Sequence, residues 1–218
     1  SEAHYGVGRL MSVAYDGPIL RVRRDSDDAE KDIAAVMAGN YMVLDQIDLA
    51  SFCTDTDGYI VTYYDLSGKG RHLTASVAEE QHKLVTNGLI EVESTLYGNA
   101  PVARVKTADS YLTATFNAAV PTWTAYQMAK RANVSPGWGT YFGSLGPGGW
   151  GDHMMGIACL GPGELNTRGG GAPSLSTPTV TNGVIRYFTS MQRTTGRDLY
   201  IDGELLASDS AHAVPSTT

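Results

Sequence analysis

Gly58-Tyr59-Ile60-Val61-Thr62-Tyr63-Tyr64-Asp65-Leu66-Ser67-Gly68-Lys69-Gly70 decides the fold. The run from Tyr59 to Tyr64 is β-branched or aromatic throughout, which fits a pleated strand in a central position. Ser67-Gly68-Lys69-Gly70 then stops it with a turn that needs glycine at positive φ. Upstream, Thr54-Asp55-Thr56-Asp57-Gly58 turns the chain into the strand. Before that, Asp45-Gln46-Ile47-Asp48-Leu49-Ala50-Ser51-Phe52 predicts one short helix near 45–53. Asp45 can cap it, and Ile47, Ala50 and Ser51 fall on one face with Leu44. Further back, Ile19-Leu20-Arg21-Val22-Arg23 reads as a first strand, and Asp25-Ser26-Asp27-Asp28 as a solvated acidic turn without the calcium-loop spacing of an EF-hand.

Downstream, strands are expected at 83–85, 89–92, 101–105, 111–114, 123–129, 139–142, 154–158, 184–190 and 198–202. The clearest hairpin joins Leu199-Tyr200-Ile201 to Glu204-Leu205-Leu206-Ala207 through Asp202-Gly203, a turn pair that accepts positive φ at both positions. Strands recurring about every 8 to 15 residues, with no βαβ alternation, predict an all-β antiparallel sandwich or jelly roll. The 218 residues are read as a single domain spanning 1–218.

Composition narrows the function classes. Hydrophobic residues make up 42% and charged residues 18%, which supports a packed core; 25 Gly and 9 Pro suit many turns. A formal net charge of −7 disfavours nucleic-acid binding, and no apolar run reaches membrane-spanning length. Ser1-Glu2-Ala3-His4-Tyr5 reads as neither a signal peptide nor a start with Met, so a processed chain or a fragment is expected. Cys53 and Cys159 permit one disulfide at most, and two buried free thiols are the expectation.

Three stretches carry a resemblance. They are residues 15–33, residues 52–53 with 58–74, and residues 83–88 followed by 98–105 and 109–112. In the second, Tyr64-Asp65-Leu66-Ser67-Gly68-Lys69-Gly70 is similar to the family pattern Y-D-Q-S-G-N-G, departing from it at Leu66 and Lys69. Together they resemble the concanavalin A-like jelly roll of the fungal-type α-L-arabinofuranosidase catalytic domain, and more strongly a relative of it in phage virion and tail proteins. The Asp202-Gly203 hairpin resembles that of laminin-G-like jelly rolls. The hydrolases of this family are expected to use a carboxylate nucleophile beside a vicinal cysteine pair. This chain has no adjacent cysteines, so no catalytic residue is carried over. Jelly rolls of this type continue past the D-G hairpin, whereas residues 208–218 are polar. The closing strands are therefore expected to be missing or supplied by a neighbour.

Glycoside hydrolysis needs two carboxylates about 5 to 10 Å apart across a cleft. Asp152, Glu164, Asp198, Asp202 and Glu204 are the candidates of the turn-rich second half; Asp198 at a strand start and Asp202 in the D-G turn read better as turn chemistry, which leaves Asp152 and Glu164 to flank one strand. Trp138, Tyr141 and Trp150 stand among glycines, where exposed rings can stack on sugar faces, and Asp152 and His153 can bond hydroxyls. His4, His72, His82, His153 and His212 show no metal-ligand spacing, and no nucleophile elbow or phosphate loop is present.

The reading favoured by the phage resemblance is a non-catalytic, virion-associated structural or adhesin protein. It would have carbohydrate-binding capacity and act in an oligomer with copies of itself or other virion proteins. The alternative is a secreted glycoside hydrolase of arabinofuranosidase type, or a soluble lectin, acting on polysaccharide. A third is a laminin-G-like module using calcium; no other cofactor is expected, and calcium has no supporting motif here.

Overall fold

The computed structural model describes residues 3–8, 15–75, 77–95, 98–105, 112, 123–130, 139–142, 157–159, 165–167, 175–177, 184–193 and 195–213. The chain divides into two compact units, Ser1–Asn117 and Ala118–Thr218.

The first unit contains β1 (Pro18–Arg24), β2 (Glu30–Ala38), β3 (Tyr41–Leu44), α1 (Gln46–Phe52), β4 (Gly58–Tyr63), β5 (Leu73–Thr74), β6 (His82–Thr86), β7 (Leu89–Ile90), β8 (Val92–Thr95) and β9 (Gly98–Pro101). A seven-stranded antiparallel sheet runs in the order β3-β2-β1-β4-β6-β7, with β5 also pairing with β4; β8 and β9 form a separate pair. The decisive stretch is therefore the interior strand it was expected to be, and all six residues of β4 are buried. Gly58 opens it because a side chain there would meet Cys53 Sγ at 2.7 Å and Val85 Cβ at 3.0 Å. Ile19, Leu20, Val22, Ile33, Ile60 and Leu84 form the centre of the core.

The hairpin β2–β3 was not anticipated. Its sequence, Glu30-Lys31-Asp32-Ile33-Ala34-Ala35-Val36-Met37-Ala38, carries several good helix formers. It is a strand because it completes the edge of β1, with Leu20 opposite Ile33 and Val22 opposite Lys31. Pairing with a neighbour outweighs local propensity here. The helix forms where expected, and the Asp45 carboxylate accepts the Asp48 N–H at 2.9 Å as its N-cap. Its buried face differs from the expectation. Leu49 is the residue that enters the core, while Ile47 stays 86% exposed.

The acidic turn at 25–28 serves the first strand. Arg23, itself buried, donates to Gln81 Oε1 at 3.0 Å and pairs with Asp25 and Asp28, and its guanidinium lies 5.2 Å from the Tyr59 ring centre.

The second unit contains β10 (Trp123–Lys130), β11 (Gly139–Phe142), β12 (Ile157–Cys159), β13 (Leu165–Thr167), β14 (Leu175–Thr177), β15 (Ile185–Arg193), β16 (Thr195–Ile201) and β17 (Glu204–Ala213). They build two four-stranded antiparallel sheets, β10-β15-β16-β17 and β11-β12-β13-β14. The β16–β17 hairpin forms as predicted, with Ile201 opposite Glu204, Asp202 at φ 52° and Gly203 at φ 86°. Phe188, Ser190, Leu199 and Ile201 make the buried face of the first of these sheets.

Candidate functional site

The motif that follows β4 builds a polar cluster around one buried carboxylate. Asp65 is 1% exposed, yet its carboxylate is fully engaged. Oδ1 accepts the backbone N–H groups of His4 at 3.0 Å and Ser67 at 2.9 Å, and Oδ2 accepts that of Arg71 at 3.1 Å. Burial by itself would raise this carboxyl group's pKa. The hydrogen bonds from Ser67, His4 and Arg71 outweigh burial and hold it below the ordinary carboxylate range. Gly68 and Gly70 adopt φ 78° and 72°, which lets the loop curl around the carboxylate.

The loop also anchors the N-terminal segment. Leu66 N–H donates to the His4 carbonyl at 2.8 Å, and the Tyr5 hydroxyl donates to the Arg71 carbonyl. Burial, with Asp65 nearby, pushes the Tyr5 hydroxyl up to about 12. The Asp65 N–H donates to His72 Nδ1 at 3.0 Å, and the His72 ring stands edge-on to Tyr64 with centroids 5.0 Å apart. Tyr64 in turn donates to Asp32 at 2.8 Å, and Asp32 takes a bidentate pair from Arg21 at 2.7 and 2.9 Å.

Asp65 is thus a structural clasp. Its lone pairs are taken by donors of its own chain, the Ser67 side chain among them, and a buried carboxylate held ionised in this way is a poor proton donor. Sequence reasoning quoted this loop for its resemblance and missed its role; the Asp-x-Ser-Gly order, typical of side-chain-closed turns, was the available signal.

The residues singled out for chemistry fall elsewhere. Trp138, Trp150, Asp152, His153 and Glu164 lie outside the described residues. Tyr141 belongs to β11, at the irregularity between Thr140, opposite Ala158, and Phe142, opposite Ile157. Asp202 is the turn residue it was read as, whereas Asp198, expected at a strand start, lies inside β16. Asp198 accepts from Ser208 and Arg193, each at 2.7 Å, and Asp202 accepts the Tyr187 N–H at 2.9 Å. Among the described residues no group of three or more His, Cys, Asp or Glu is placed to hold a metal ion. Cys53 is a buried free thiol, and burial pushes it up to about 11.

The family model described as "Alpha-L-arabinofuranosidase B, catalytic" matches residues 1–137, which include the whole clasp. The chain belongs to that family.

Its curated relatives in the arabinofuranosidase B family include alpha-L-arabinofuranosidase B of Aspergillus oryzae, 40% identical over 72 residues, and that of Penicillium canescens, 39% identical over 72 residues. The matched region is 33% of this chain in both, and 14% and 15% of the respective relatives. Among solved structures, a GH54 α-L-arabinofuranosidase mutant soaked with 4-nitrophenyl α-L-arabinofuranoside superposes with a TM-score of 0.69 at 18% identity. That match covers 99% of this chain and 51% of the other. An arabinofuranosidase complexed with arabinofuranosyl-α-1,2-xylobiose gives 0.66 at 18% identity, covering 100% of this chain and 52% of the other. The chain therefore spans about half the length of these structures, and their likeness establishes the all-β fold.

These matches correct the functional expectation. The arabinofuranosidase side of the resemblance stands. The non-catalytic phage reading, a virion-associated structural or adhesin protein, is overturned by the match to a hydrolase catalytic domain.

Proposed function

We propose that this arabinofuranosidase-family chain is part of a glycoside hydrolase that releases α-L-arabinofuranosyl groups from a neutral polysaccharide. The observation that carries the reading is the family match across residues 1–137, the segment organised by β4 and the Asp65 clasp. In this reading the first unit is scaffold, and the sugar-facing groups belong to the turn-rich second half. Trp138, Tyr141 and Trp150 are the stacking rings, Asp152 and His153 the hydroxyl-bonding groups, and Asp152 and Glu164 the acid candidates. A polymeric substrate does not enter a cell, so secretion accompanies the proposal.

The test is release of 4-nitrophenol from 4-nitrophenyl α-L-arabinofuranoside by the full 218-residue chain. Turnover that disappears in Asp152→Asn or Glu164→Gln supports hydrolysis and assigns the acid. Turnover that survives both variants supports hydrolysis and removes these two residues from the reaction. Saturable binding of arabinoxylan without turnover overturns hydrolysis in favour of a lectin, and neither binding nor turnover overturns the proposal altogether.

A further inference from the structure

Asn-Gly occurs at 87–88 and at 182–183. In this dipeptide the asparagine side chain is open to attack by its own backbone, because the glycine that follows carries no side chain to block the approach. The second pair lies outside the described residues. The first makes the turn of the β6–β7 hairpin, between Thr86 and Leu89, with Asn87 at φ 47° and Gly88 at φ 78°.

Two hydrogen bonds hold this turn. The Asn87 N–H donates to Asp57 Oδ1 at 2.9 Å, and the Gly88 N–H donates to the Thr56 carbonyl at 2.9 Å. The turn is also closely seated. A Cβ on Gly88 would meet the Asp55 nitrogen at 3.0 Å and the Cys53 carbonyl oxygen at 3.4 Å, both in the connection from α1 to β4. Asn87 itself is exposed. Water therefore reaches this residue, while the backbone nitrogen that would attack its amide is committed to Thr56.

We propose that Asn87 is a deamidation site gated by the fold, silent while Thr56 holds the Gly88 N–H and converted once the β6–β7 turn lifts from its seat. In the open turn the Gly88 nitrogen gives up its proton to base and bonds to Asn87 Cγ. The Cγ–Nδ2 bond breaks, and ammonia leaves. Water then opens the cyclic imide at one of its two carbonyls. Opening at the backbone carbonyl carries the main chain through the side chain as isoaspartate, and opening at Cγ leaves aspartate. Water is the one co-reactant, and nothing is oxidised or reduced.

The products do not fit the seat. Either one places a new carboxylate beside Asp57, and isoaspartate adds a backbone carbon to the tight turn. β7 is an edge of the seven-stranded sheet and packs against α1, so conversion undoes that corner. A brief opening thus leaves a permanent mark. The turn at Asp202-Gly203 has the same positive φ values but different chemistry. Its carboxylate pairs with Arg186 at 2.6 Å and accepts the Tyr187 N–H at 2.9 Å, and an ionised carboxylate is a poor target for a nitrogen nucleophile.

The experiment incubates the full chain at mildly alkaline pH, folded in buffer and unfolded in urea. Peptide mass and separation of the aspartyl and isoaspartyl peptides read Asn87, and NMR reads exchange of the Gly88 amide hydrogen. Conversion is expected to be about tenfold or more slower in the folded chain. It is expected to track Gly88 exchange as urea is raised below the unfolding transition. Asp57→Ala frees the Asn87 N–H and is expected to speed conversion of the folded chain; if that variant does not fold, the urea series on the wild type decides. In an Asn182→Ser background, chains converted while unfolded and then refolded are expected to unfold at lower urea than unconverted ones. Equal rates in folded and unfolded chains overturn the gate, as do folded-state conversion that ignores Gly88 exchange and an unchanged rate in folded Asp57→Ala. An Asn87 that stays intact in the unfolded chain overturns the site itself. Converted chains as stable as unconverted ones overturn the misfit of the products.

Discussion

Asp65 offers the most direct test of how the first unit is held together. Asp65→Ala removes the acceptor of three backbone N–H groups, those of His4, Ser67 and Arg71. A partly buried donor left without its partner costs about 1 kcal/mol, so the variant is expected to lose about 3 kcal/mol. Asp65→Asn separates the two carboxylate oxygens. An amide oxygen in the place of Oδ1 still accepts from His4 and Ser67, while the amide NH2 in the place of Oδ2 faces the Arg71 donor. One bond is lost and two donors are opposed, so about 1 to 2 kcal/mol is expected. Urea unfolding at pH 7, compared at constant m, measures both losses. The pH dependence has a fixed sign. The folded group is held below its unfolded pKa, so its stabilisation is complete above about pH 5 and disappears as pH falls through the folded value. In Asp65→Asn that part of the acid sensitivity should vanish. Equal losses in the two variants, or less than about 1 kcal/mol in Asp65→Ala, would refute the clasp.

Three further outcomes follow from packing and backbone. In a Cys159→Ser background, Cys53 should resist a disulfide reagent at pH 8 and react fully once the chain is unfolded, because burial raises its pKa to about 11; rapid native labelling would contradict its burial. Gly58→Ala should destabilise by about 1 to 3 kcal/mol, and Cys53→Ala in the same chain should recover part of it by withdrawing the sulfur. A double-mutant cycle with no coupling between the two would show that Val85 alone sets the limit. Gly196→Ala should destabilise the second unit by about 1 to 3 kcal/mol, since φ is 132° and a Cβ there would collide with the Asp209 carbonyl; thermal unfolding reads the loss, and an unchanged melting curve would contradict that geometry.

The fold was legible wherever local chemistry and tertiary position agree. β4 announces itself because an interior strand needs no polar face, and the β16–β17 hairpin because Asp-Gly accepts the backbone its turn requires. The hairpin β2–β3 was hidden because alanine, methionine, lysine and glutamate are at home in helices, and only the partner strand decides otherwise. Helix α1 was found by its cap, but its inward face was misjudged: Leu49, not Ile47, meets the core. The clasp was quoted as a motif without its purpose, since nothing in the sequence says that His4 will return to meet Asp65 across 61 residues. The functional misreading had two sources. The phage side of the resemblance and the polar stretch 208–218, read as missing closing strands, favoured a non-catalytic part, whereas the family is shared with a hydrolase catalytic domain over residues 1–137.

The burial of β4 on both sides has a consequence before the fold exists. Tyr59-Ile60-Val61-Thr62-Tyr63-Tyr64 is uncharged, free of proline and strongly β-forming, the composition of a segment that stacks into fibres when left exposed. In a nascent or heated chain such a segment is prone to join its counterpart in another molecule. Asp57 and Asp65 stand at its two ends, where like charges from neighbouring chains repel and discourage that assembly. The same two acids are absorbed in the native protein, Asp57 by Lys83 and the Asn87 amide and Asp65 by its three backbone donors. Each therefore guards the unfolded chain and fastens the folded one, and neutralising either exchanges solubility as well as stability.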